Sequence, residues 1–136
     1  MKVFLDANIL FSAAITDGTV RRILGLLSQA GHQSCVNAYV VGEARRNIAV
    51  KSPEHVQALE TLLAGMAYVE LAPGAPLREE LLLLAEKDRP VLDAAARGRC
   101  DALLTGDRVH FGRWFGKTLA GVAIHSPRSL AEKLLK

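Results

Sequence analysis

Lys2-Val-Phe-Leu-Asp-Ala-Asn-Ile-Leu-Phe-Ser12 is the stretch on which the fold turns. Val3, Phe4 and Leu5 make a short apolar run that stops at a carboxylate, Asp6. A second polar residue, Asn8, follows two positions later, and apolar residues resume at Ile9, Leu10 and Phe11. A strand buried in a parallel sheet reads as continuous apolar residues, and its carboxyl end opens onto the crevice where ligands bind. A carboxylate at that point is a poor core residue and a good site residue. Asp is also among the best helix caps, so Asp6 alone is either a cap or a ligand.

Outward from this stretch, strands alternate with helices. Helical spacing runs through Ile9, Leu10, Ala13 and Ala14, stops at Asp17-Gly18, and resumes from Thr19 to Ala30 before Gly31. Residues 32–37 read as a second strand and 39–50 as a helix whose apolar stripe is Val40, Val41, Ala44 and Ile48. Ser52-Pro53-Glu54 reads as a helix start, running to about Gly65. A third strand is expected over 68–71, closed by Pro73-Gly-Ala-Pro76. Helices over 77–87 and 88–98 follow, then a fourth strand over 102–105, a loop over 106–112, a fifth strand over 122–124 and a last helix from Ser126-Pro127. The alternation predicts one α/β domain over residues 1–136, with a mainly parallel central sheet of about five strands.

Half of the 136 residues are apolar and aromatics are few, so the core is aliphatic. The net charge of +3 permits a polyanionic partner without demanding one. Cys35 and Cys100 lie far apart with no zinc spacing around either, and read as reduced core thiols of a cytoplasmic protein. Lys2 is followed by only three apolar residues before Asp6, which is no secretory leader pattern. The longest apolar run, Leu81 to Ala85, is far too short to span a membrane.

Four acids stand where a strand ends or a helix meets the same edge: Asp6, Glu43, Asp88 and Asp107. Each has a bland reading: cap, exposed ion pair with Arg46, cap, and turn residue. As a set they are more informative. Carboxylates from separate segments that converge on one edge repel one another, and a hard divalent cation removes that repulsion. Mg²⁺ or Mn²⁺ suits a cluster of Asp and Glu without thiolates or imidazoles. Asn47 lies four residues after Glu43, on the same side of its helix.

Leu5-Asp-Ala-Asn-Ile-Leu-Phe-Ser12, Glu43, Asp88-Arg-Pro-Val-Leu-Asp-Ala-Ala95 and Asp101-Ala-Leu-Leu-Thr-Gly-Asp-Arg-Val-His-Phe111 together resemble the PIN-domain family. More narrowly, they are similar to the VapC-like toxins of bacterial and archaeal toxin–antitoxin pairs. The resemblance implies a three-layer α/β/α sandwich, a Mg²⁺- or Mn²⁺-dependent endoribonuclease, and a small antitoxin partner. It implies a homodimer too, with helices 53–65 and 77–87 as candidate surfaces. Asp6, Glu43, Asp88 and Asp107 match the family's acidic metal site, and Asn8 and Thr105 its supporting polar positions.

Some assignments stay open at this stage. Asp93 competes with Asp88 for the third carboxylate, although it points away from its helix's apolar face and can pair with Arg97. Asp101 starts its strand and reads as structural. Arg45, Arg46, Arg108, Arg113 and Lys117 are candidates for RNA backbone contacts, and His110 for loop packing and a phosphate contact. Trp114 and Phe115 read as packing residues before base-stacking ones. The alternatives are a catalytically inactive PIN fold that binds nucleic acid or protein, and a phosphatase or DNA nuclease using the same acids.

Overall fold

In the computed structural model, which describes residues 1–69 and 79–134, the opening stretch becomes β1 (Lys2–Leu5) and α1 (Ala7–Ile15). Val3, Phe4 and Leu5 are fully buried, as their uninterrupted apolar run requires. Next come α2 (Thr19–Gln29), β2 (Gln33–Val36), α3 (Ala38–Lys51), α4 (Val56–Ala64) and β3 (Ala67–Tyr68). The second half holds α5 (Arg89–Arg97), β4 (Ala102–Leu104), α6 (Arg108–Phe111), β5 (Thr118–Leu119), β6 (Val122–His125) and α7 (Pro127–Leu134).

The strands form one sheet in the order β3-β2-β1-β4-β6-β5. All neighbours are parallel except β5 and β6. β1 therefore sits inside the sheet, with Phe4 beside Cys35 of β2 and Leu103 of β4. α1 packs against α2, α3 and α4, while α5 packs against β4 and β6. This is the α/β sandwich with a mostly parallel sheet that the alternation predicts. Cys35 and Cys100 are buried and free. No described helix is long and apolar enough to cross a membrane.

Three local expectations change. The described sheet has six strands, not about five, because Thr118–Leu119 returns against β6 as a hairpin. Its turn is Ala120-Gly121, with both residues at positive φ (54° and 79°), the backbone that tight hairpins need. Alanine carries no turn signal in sequence, so the hairpin was hidden. The described part of the expected 77–87 helix is instead two 3₁₀ turns, Glu79–Leu83 and Glu86–Asp88. Leu81 and Leu84 are the buried pair there, and a spacing of three suits a 3₁₀ turn. The expected loop after β4 contains α6, which Asp107 caps, and a 3₁₀ turn at Gly112–Trp114. Residues 70–71 of the expected third strand, and the Pro73–Pro76 turn, lie outside the described residues.

Candidate active site

Each element delivers its acid by a simple local rule. β1 ends at Asp6 because the next residues turn into α1. The Asp6 Oδ1 accepts the Ala7 N–H at 2.8 Å, so the capping reading of this residue is real. Its Oδ2 accepts the Thr105 hydroxyl at 2.8 Å and the Asn8 amide at 3.2 Å. Capping and site geometry therefore coexist in one carboxylate. Only 8% of Asp6 is exposed. Burial pushes its carboxyl above the usual range, and the nearby charges of Glu43 and Asp107 add to that; the bonds from Thr105 and Ala7 oppose it.

Asn8 and Thr105 tie the exits of β1 and β4 together. The Asn8 Oδ1 accepts the Gly106 N–H at 2.8 Å, and its amide also reaches the Thr105 Oγ1 at 3.4 Å. Thr105, fully buried, accepts the Asp107 N–H at 3.2 Å while it donates to Asp6. The sequence reading gave both residues a supporting role, and this network is the geometry such a role needs.

Asp107 caps α6 through Oδ1, which accepts the His110 N–H at 3.1 Å. Its Oδ2 lies 2.6 Å from the His110 Nδ1. A carboxylate only accepts, so that ring nitrogen carries the proton. Burial alone would raise the Asp107 carboxyl, but the His110 hydrogen bonds and charge outweigh it and hold it below the usual range.

Asp88 differs. It precedes α5, yet its side chain caps nothing. Pro90 opens that helix and removes one of the donors a cap would serve. The Asp88 Oδ2 is buried without a hydrogen-bond partner among the described residues. The His110 Nδ1 lies 3.7 Å from it. Asp93, the competing acid, is turned aside and holds Arg97 at 2.9 Å. Asp101 is at the far edge of the sheet, where it accepts the Lys2 N–H at 2.7 Å.

These side chains line one cavity of about 410 Å³. Its walls carry Asp6, Glu43, Asp88, Asp107 and His110, together with Tyr39, Asn47, Lys51 and Lys87. One ligand atom each from Asp88, Asp107 and His110 falls within 4.8 Å of the others. The donors are carboxylate oxygens plus one imidazole nitrogen, and one of the carboxylate oxygens is buried and unpartnered. That set fits a divalent cation. The imidazole corrects the expectation of a cluster without one. His110 stands within the acids instead of out in the loop.

Of the six side chains expected to meet RNA, only His110 lines this cavity. Arg45 is held by Glu60 at 2.7 Å. Arg113 bonds the Leu83 carbonyl at 3.2 Å and lies over the Trp114 ring. Arg46 and Lys117 are exposed elsewhere, while exposed Arg108 lines an adjoining pocket with Asp88 and His110. Trp114 and Phe115 are partly buried against the core, as read from sequence. The cations on the cavity wall, Lys51 and Lys87, escaped the sequence reading. Lys51 could have been found, since it lies four residues beyond Asn47 and eight beyond Glu43.

A family model described as PIN domain matches residues 2–109. No curated protein matches the sequence. Among solved structures, a similar chain occurs in the crystal structure of VapBC2 from Rickettsia felis bound to a DNA fragment from their promoter. The two chains share 14% identity and a TM-score of 0.64, over 93% of this chain and 98% of that one. At that identity the likeness speaks for the fold.

Proposed function

We propose, from the premise that this chain belongs to the PIN-domain family, that it is a Mg²⁺- or Mn²⁺-dependent endoribonuclease and the toxin of a toxin–antitoxin pair. The observation that carries the reading is the Asp88 carboxylate oxygen, buried without a hydrogen bond among the described residues, beside Asp107 and His110. A purely structural carboxylate in that position would be capped or paired. The same observation weighs against an inactive binding module, which has no use for acids gathered against a polyanion.

In this reading Asp6, Asp88 and Asp107 hold the cation, with Glu43 as a further ligand or proton acceptor. The cation supplies Lewis-acid stabilisation of the charge that builds on a phosphodiester, and it acidifies the attacking water. The chain's own contribution is placement. Thr105 and Asn8 fix the Asp6 carboxylate so that it need not reorganise during reaction. His110 fixes Asp107 in the same way. Glu43, whose side chain has no partner among the described residues, is free to take a proton on a carboxylate oxygen.

The whole chain acts as one PIN domain in the cytoplasm, where a small antitoxin protein holds it inactive. The VapBC2 neighbour is consistent with such a partner. A homodimer is proposed too, through surfaces that expose Val56 of α4 and Leu82 and Leu83.

The test compares wild type with Asp6→Asn, in cells and on purified RNA with Mg²⁺ or Mn²⁺. Growth arrest and RNA cleavage by wild type alone are expected, with a loss of at least about a hundredfold in the variant. Equal cleavage by both would remove the proposed site.

A further inference from the structure

Tyr39, Glu43, Asn47 and Lys51 are spaced by four along α3, and all four line the acid cavity. A step of four residues returns about 40° past a full turn, so the four make one slowly winding stripe about 18 Å long. It runs beside the buried stripe of Val40, Val41, Ala44 and Ile48, at the border of the core. Among the described residues none of the four side chains makes a hydrogen bond or ion pair. Tyr39 is 47% exposed, so its ring is open to a ligand in the cavity. At the other end the Lys51 ammonium sits over the Phe11 ring, 5.8 Å from its centroid. That contact aims the charge at the cavity instead of letting it range through solvent.

Resting on the ribonuclease reading above, we propose that this stripe is the track that sets where the strand is cut. A base on one side of the cut stacks on the Tyr39 ring. The scissile phosphate lies at Glu43 and the acids opposite it. The Lys51 ammonium holds a phosphate on the other side. Stacking on an aromatic tolerates any base, and an ammonium tolerates any phosphate, so the pair fixes register without reading sequence. Arg45 does not serve this role, because it is already held by Glu60.

The test uses the full chain and a fluorescein-labelled oligoribonucleotide of mixed sequence, too short to pair with itself. Binding is followed by anisotropy in an Asp6→Asn background, and cut positions are mapped in the otherwise wild-type chain. Tyr39→Leu should weaken binding about tenfold and spread the cuts over neighbouring bonds, whereas Tyr39→Trp should preserve both. Lys51→Gln should lower the slope of log affinity against log salt by about 0.7. If wild type cuts RNA but Tyr39→Leu binds as its parent does, or Lys51→Gln leaves the slope unchanged, the track is wrong and the nuclease reading survives. Ring- and charge-dependent binding with no cleavage would overturn the nuclease reading and, with it, the track's role in setting the cut, leaving only a binding stripe. Neither binding nor cleavage would overturn both.

Discussion

The carboxylates at the strand exits and those on the helical walls face one cavity but are held in opposite ways. Asp6 and Asp107 each have both oxygens engaged, by Ala7, Thr105 and Asn8 in one case and by His110 in the other. Asp88 and Glu43 have less support among the described residues: the Asp88 Oδ2 is buried without a hydrogen bond, with only the His110 Nδ1 at 3.7 Å, and Glu43 takes no partner. The held pair is preorganised by the protein and barely needs a cation to stay in place. The unheld pair carries uncompensated acceptors, which an incoming positive charge would satisfy. Binding energy for a cation should therefore come disproportionately from the helical side, and precision of placement from the strand side.

The largest test of that contrast is thermal. A ligand that binds only the folded state stabilises it by about 2.7 kcal/mol at a hundred times its dissociation constant. Mn²⁺ should raise the melting temperature of wild type by several degrees, and Asp88→Asn should remove most of the rise. A full shift in the variant would mean that the strand-exit acids bind the cation unaided. Next comes the tie between strand exits. Asn8→Ala removes the bonds to Asp6 and Gly106 and should destabilise the fold by about 1–2 kcal/mol in chemical denaturation. RNA cleavage should fall about tenfold or more, through misplacement of Asp6.

The smallest effect is in pH. Burial raises the folded carboxyl of Asp6 above its ordinary value of 3.8, so the folded state binds more protons than the unfolded one. Stability from this group is present below the ordinary value and is lost as pH rises through the raised one. Asp107 runs the other way: its lowered carboxyl contributes stability at higher pH and loses it as pH falls through the folded value. The melting temperature of Asp6→Asn minus that of wild type should climb by a few degrees at most across the Asp6 window and then level off. A flat difference would mean that the Asp6 charge is not strained by burial.

Much of the site was legible because strand exits leave a plain mark: an apolar run cut off by an acid, as in Leu5-Asp6 and Leu104-Thr-Gly-Asp107. Glu43 and Asn47 were legible from helical spacing. Asp88 could be chosen over Asp93 because Asp93 lies off the buried face of α5, and the ion pair with Arg97 agrees. Other features depend on contacts between distant segments. Nothing local says that Glu60 takes Arg45 or that the His110 ring comes within 3.7 Å of Asp88. The short β5 hairpin was hidden by an alanine in a backbone position where glycine or asparagine would have announced it.

The order of the sheet has one more consequence, for the timing of synthesis. β4 lies between β1 and β6, so a segment made late in translation is inserted beside the first strand made. The Thr105 hydroxyl that orients Asp6 is ninety-nine residues away in the chain. A nascent chain that has exposed Asp6, Glu43 and Asp88 but not yet released residues 102–107 has three acids and no assembled centre. Whatever chemistry the cavity performs is withheld from an unfinished chain, and a product truncated before residue 102 lacks the assembled centre altogether.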